Sequence, residues 1–268
     1  MPLELRVHLD VPFTTVPTAS GERTLVADLW IPQTGKPVPL VVYLHGGGWR
    51  GGNQYHPPCQ PRLFDRGIGV AAMTYRFSQE KPFPAMLHDC KTGVRWLRAN
   101  AGRYGLDPER FAAWGISAGA HLASLMALTQ QKPEFEGDGP FAEQSSAVRA
   151  VVSWCGPTNM VGIFEGRPPV EGMMGLVRDV IGGPFEEKRA VAEAASPVRH
   201  VGPGSVPHLI VHGRNDPVVL PYHATDLHEA LQAAGAEVEL LLVDTGHNVE
   251  CEPAAAATER FITKHLLG

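Results

Sequence analysis

No apolar run in the chain approaches the ~18 residues needed to cross a bilayer as a helix, so no membrane span is expected. Basic residues are not in excess either. The 23 Lys and Arg are outnumbered by 28 Asp and Glu, for a net charge of -5. That balance leaves no basic stripe of the kind that holds a phosphate backbone, and nucleic acid is not an expected partner. Cysteine is scarce: Cys59, Cys90, Cys155 and Cys251 are the only four in 268 residues. None forms a CxxC pair, so neither a disulfide framework nor a thiolate metal site is suggested. The 12 histidines are dispersed with no HExxH spacing, and no metal or other cofactor is expected. The first residues show no basic segment followed by an apolar one. The expectation is a cytoplasmic protein, with a secreted form trimmed of its leader left open.

What the chain does have is a substantial apolar fraction, 44%, enough for one large domain with a real core. Apolar runs that read as strands recur at residues 3–9, 23–31, 39–44, 69–75, 110–114, 148–155, 208–212 and 238–243. The first two alternate, as antiparallel edge strands do. The later ones are nearly continuous in Val, Ile, Leu and Ala, as expected of parallel strands covered on both faces. Helix-like segments at 57–66, 84–100, 118–130, 222–234 and 253–267 separate them. That alternation predicts a single α/β domain over 1–268, with a mostly parallel, roughly eight-stranded sheet and helices on both faces. Two segments break the rhythm. Residues 131–146 are polar and Gly-rich. Residues 157–206 show no strand pattern and carry short helical candidates near 172–181 and 186–195. So long an insertion reads as a cap or lid.

The most informative residue is Ser117, in Gly115-Ile116-Ser117-Ala118-Gly119. An apolar strand candidate precedes it and an apolar helical stretch follows. Strand, sharp turn and helix are the context of a nucleophile elbow, which pushes a serine hydroxyl out over the end of a sheet. Acyl transfer from serine needs a base, an acid that orients the base, and donors for the oxyanion. His247, in the loop after the last strand candidate, is the candidate base. Asp216, just past the penultimate strand, is the candidate acid. Asp244 is its rival, but it lies three residues from His247 and ends a strand. The candidate oxyanion donors are the backbone amides of Ala118, which opens the helix, and of Gly47 and Gly48 in His45-Gly46-Gly47-Gly48-Trp49. Trp49, Trp154 and His121 are candidates to line the substrate pocket, against the plainer reading of core packing.

The same glycine loop matches GxGxxG through Gly46, Gly48 and Gly51. No helix opens directly after it, and no acidic strand end follows about twenty residues on, so a dinucleotide site is not favoured. The serine reading unites four features in type, order and strand position.

Taken together these motifs resemble the α/β-hydrolases that carry an HGGG oxyanion loop, a group that includes the hormone-sensitive-lipase-like carboxylesterases. Further landmarks are Met73-Thr74-Tyr75-Arg76, Tyr104-Gly105-Leu106-Asp107-Pro108 and Gly156-Pro157-Thr158. Within the group the chain is most similar to the compact bacterial branch described as feruloyl- or acetylxylan-esterase-like. The resemblance implies an α/β-hydrolase fold and cofactor-free hydrolysis of small carboxylic esters by Ser117, Asp216 and His247. A small-molecule ester is then the expected partner, and a homodimer is compatible with it. Absence of an export signal argues against a polymeric substrate. Amide cleavage, as by an arylformamidase or small peptidase, and a catalytically silent ligand-binding scaffold are the alternatives the motifs leave open.

Overall fold

The computed structural model describes every residue except 1, 2, 56, 59, 131, 166, 167 and 169. Cys59 and three residues of the 157–206 insertion therefore lie outside the described residues. Eight strands form one sheet: β1 (Leu5–Thr18), β2 (Gly21–Pro32), β3 (Val38–Leu44), β4 (Gly69–Met73), β5 (Leu106–Ile116), β6 (Val151–Trp154), β7 (His208–Gly213) and β8 (Val238–Val243). Their spatial order is β1-β2-β4-β3-β5-β6-β7-β8. β1 and β2 are antiparallel to their neighbours, and the remaining strands run parallel.

The helices are α1 (Gln60–Asp65), α2 (Ala85–Ala99), α3 (Ala101–Tyr104), α4 (Ala118–Leu128), α5 (Glu171–Ile181), α6 (Phe185–Ala194), α7 (Tyr222–Ala233) and α8 (Glu252–Leu267). None of the helices among the described residues is long and apolar enough to cross a membrane. Strand periodicity sorts side chains into two cores. Leu40, Val42 and Leu44 join one cluster with α2 and α4, whereas Val41 and Tyr43 join the other with α8. Phe111 and Ala113 alternate with Ala112 and Trp114 in the same way. Every strand residue from Val38 to Leu44 is buried, which is why its sequence shows no polar alternation. α4 is buried along its whole length, so apart from His121 and Ser124 it too is apolar all round.

β1 is twice the length its sequence suggested. Pro12 and Pro17 interrupt the apolar pattern, yet they pair with Val26 and Glu22 of β2. A proline is tolerated there because β1 is an edge strand with only one ladder to keep. The long connection from β6 to β7 carries α5, α6 and a short 3-10 turn, Pro197–His200. This mostly parallel sheet with helices on both faces is the α/β-hydrolase arrangement. Because β3, β5, β7 and β8 run parallel, the loops that leave them all emerge at one edge, where α/β sheets place their ligands.

Candidate active site

Ser117 stands between β5 and α4 with φ 54° and ψ -121°. That conformation is sparsely populated for any residue with a Cβ, and it persists only where the surroundings impose it. Here β5 ends on one side, where the Ser117 N–H donates to Trp154 O at 2.8 Å. On the other side α4 presses against β3. A Cβ on Gly119 would lie 2.0 Å from Leu44 O, so only glycine lets the two backbones approach this closely. The serine hydroxyl is thus carried to the N-terminal end of a helix, half-buried.

His247 comes from the loop after β8 and Asp216 from the loop after β7. The imidazole Nδ1 lies 2.7 Å from Asp216 Oδ2, and Nε2 lies 3.0 Å from Ser117 Oγ. A carboxylate only accepts, so the Nδ1 proton donates to Asp216, and Nε2 is left to accept from the serine hydroxyl. Asp216 is buried. Its other oxygen accepts from the amides of Val218 at 2.8 Å and Val219 at 3.0 Å. Burial alone would raise this carboxyl. Hydrogen bonds from His212, His247 and the two valine amides outweigh burial and hold it well below the usual carboxylate range. Asp244, the rival acid, points outward. Its side chain is 88% exposed and pairs with Arg214 at 3.1 Å.

The loop after β3 runs alongside. A Cβ on Gly46 would sit 3.4 Å from the Cβ of Ser117. Gly47 and Gly48 both have positive φ, 115° and 59°. The amides of Arg50 and Gly51 turn back onto Gly47 O. No acceptor among the described residues takes the N–H of Gly47, Gly48 or Ala118. The loop is held from behind. Tyr75 donates its hydroxyl to His45 O at 2.8 Å and stacks on the His45 ring, centroids 4.4 Å apart. Tyr75 has no site role in the sequence reading; its place just past β4 was the available signal.

Three pocket expectations need correction. Trp49, Trp154 and His121 are all buried and present no face to a substrate. Trp154 points to the α8 side of the sheet. Its Nε1–H donates to Thr258 Oγ1 at 3.0 Å, and its ring meets Trp114 edge-on. Trp49 donates Nε1–H to His121 Nδ1 at 3.1 Å, and His121 Nε2–H donates to Ala195 O at 2.7 Å. Burial pushes the His121 imidazole down to about 4, so it stays neutral in this relay. These two residues pin the glycine loop to α4 and to the end of α6. A small cavity lies between the β6–β7 insertion and the loop after Asp216, with Ile163, Met173, Val218, Leu220, Tyr222 and His223 in its wall.

Among the described residues, one cluster has donors close enough to hold a metal. The Cys155 thiol, an Asp216 oxygen and a His247 nitrogen lie within 4.8 Å of one another. The donor set fits poorly. Both imidazole nitrogens are already engaged. Burial also pushes the thiol up to about 12, against the thiolate a metal binds.

The family model described as BD-FAE matches residues 27–231. A probable carboxylic ester hydrolase, LipM of Mycobacterium tuberculosis, is 34% identical over 185 residues, 68% of this chain and 42% of its own. The esterase LipQ of the same organism is 29% identical over 229 residues, 82% of this chain and 53% of its own. The chain thus spans about half the length of the curated relatives it matches. Among solved structures, a truncated carbohydrate esterase from gut microbiota superposes with a TM-score of 0.88. It covers 100% of this chain and 98% of its own at 24% identity, which speaks to the fold.

Proposed function

The chain belongs to the BD-FAE family, and from that premise we propose that it is a serine carboxylesterase acting on small carboxylic esters through an acyl-serine intermediate. The observation that carries the proposal is the continuous hydrogen-bonded line from Ser117 Oγ through His247 to Asp216. Ser117 Oγ attacks the ester carbonyl carbon as its proton passes to His247 Nε2. Asp216 fixes the imidazole tautomer and stabilises its transient positive charge. The carbonyl oxygen, now an oxyanion, accepts from the amides of Ala118, Gly47 and Gly48, where each donor is worth ~10²–10³ in rate. Collapse of the tetrahedral intermediate breaks the bond to the alkoxy oxygen, which leaves as an alcohol with the proton from His247. Water then repeats the sequence on the acyl-serine, releasing the carboxylic acid and restoring the hydroxyl.

Residues 157–206 act as the cap. α5 carries Leu176 over the glycine loop, where its Cδ1 would lie 3.1 Å from a Cβ on Gly48. Asp179 of the same helix pairs with Arg50. Steady-state kinetics on p-nitrophenyl esters from acetate to decanoate tests the reading. We expect kcat/KM to be highest for short acyl chains. Ser117→Ala should lower kcat by roughly 10⁵–10⁶ with the fold intact. A Ser117→Ala protein that turns over at the parent rate would overturn it.

A further inference from the structure

β1 lies at the edge of the sheet, and its first half carries an apolar stripe that no helix covers. Leu3, Leu5, Val7 and Leu9 are 37%, 36%, 46% and 60% exposed. The only other large apolar side chains this exposed among the described residues are Tyr55, Val218 and Leu267. Val7 and Leu5 face Trp30 and Pro32 of β2 in register, so the stripe continues onto a half-buried tryptophan. Edge strands are normally blunted by charged side chains, above all lysine, by proline or by a short length. Residues 3–9 contain no lysine and no proline, and their two charges, Glu4 and Arg6, are of opposite sign.

The backbone phase of this edge is fixed. Gln33 N–H donates to Glu4 O at 2.8 Å. In an antiparallel ladder such groups alternate, so residues 4, 6 and 8 direct their N–H and C=O toward β2. Those of Leu5, Val7 and Leu9 point outward, and no partner among the described residues takes them. Pro32 opposite Leu5 agrees with this phase, because that pair exchanges no hydrogen bonds and the missing N–H costs nothing.

We propose that this edge pairs with a second copy of the chain, β1 against β1, antiparallel about a two-fold axis through Leu5. Leu5 of one copy then lies opposite Leu5 of the other, and Leu3 opposite Val7. The outward N–H and C=O groups of these residues exchange hydrogen bonds, and the two stripes merge into one apolar face. On the opposite face each Glu4 meets the other copy's Arg6. Charge selects this register. A shift by two residues sets Arg6 against Arg6, and a shift by four sets Glu4 against Asp10, both repulsive. A shift by six would match Arg6 with Asp10. However, Asp10 has φ 51° and is bonded inward, its N–H to Asp28 Oδ1 and its Oδ1 to Gln54 Nε2.

Sedimentation equilibrium of the full chain from 1 to 100 µM tests the proposal. We expect a species of twice 28.9 kDa at the upper concentrations. Val7→Lys should give monomer throughout, with unchanged melting temperature and esterase activity. Glu4→Arg and Arg6→Glu should each weaken association at least tenfold, and the double variant should restore it. A chain that stays at 28.9 kDa at all concentrations, or a dimer that Val7→Lys leaves intact, would overturn the proposal. A dimer broken by Val7→Lys but not rescued by the double charge swap would overturn the Leu5-centred register.

Discussion

Gly213 at the end of β7 is stacked against the backbone of Gly246, one residue before the imidazole. A Cβ on Gly213 would lie 2.0 Å from Gly246 O. The loop carrying Asp216 and the loop carrying His247 are therefore set relative to each other by backbone contact, before either side chain is considered. Gly213→Ala has to push the 245–247 segment away. Displacements near 1 Å cost on the order of 10²-fold when reacting groups must align. The variant should lose about that much in kcat on p-nitrophenyl acetate while remaining folded by circular dichroism. A folded variant with parental kcat would show that the loop tolerates the shift.

His212 closes the Asp216 loop. Its Nε2 lies 2.7 Å from Val219 O and 3.4 Å from Asp216 Oδ2, so one N–H serves both, chiefly the carbonyl. Hydrogen bonds to a charged group contribute ~1.5–3 kcal/mol, or roughly ten- to a hundredfold in rate. His212→Leu should lower kcat about tenfold and leave KM within about twofold, because His212 touches the acid and not the substrate. A rise in KM at constant kcat would place its effect on substrate binding instead.

Much of this arrangement was legible in the sequence, for a physical reason. Strand exits at one sheet edge are marked by short apolar runs followed by turn residues, and Ser117, Asp216 and His247 each stand at such an exit. Which face of the sheet an aromatic takes is not marked. Trp154 ends β6 and turns toward α8, whereas Trp49, in the loop after β3, turns toward α4. Neither an apolar strand end nor a glycine-rich loop marks which side its aromatic takes. The supporting roles of Tyr75 and His121 were hidden because they arise from tertiary contacts 30 and 72 residues apart in the chain. The extent of β1 was obscured by its two prolines, which only an edge strand accommodates.

Acid should destabilise the fold through buried histidines. Burial pushes His45, His121 and His208 down to about 4, against ~6.5 in an unfolded chain. Above pH ~6.5 these imidazoles are neutral in both states, and their neutral burial has no protonation cost. As pH falls from ~6.5 toward ~4 the unfolded chain takes up protons that the folded one refuses. Stability is then lost at up to ~1.4 kcal/mol per pH unit for each histidine. Asp216, whose carboxyl is depressed, adds a further loss only below its ordinary range near 4. Differential scanning calorimetry should show the melting temperature falling between pH 6.5 and 4.5. His208→Asn should shallow the slope. A melting temperature flat across that interval would contradict the neutral burial of these rings.

The proposed reaction requires the Ser117 hydroxyl to be the nucleophile. The direct measurement is peptide mapping by mass spectrometry after treatment with a fluorophosphonate, alongside residual esterase activity. One adduct per chain is expected, on Ser117, formed in proportion to lost activity and absent from His247→Ala under the same exposure. Full inactivation with no adduct on Ser117, or esterase activity that survives complete labelling of Ser117, would contradict it.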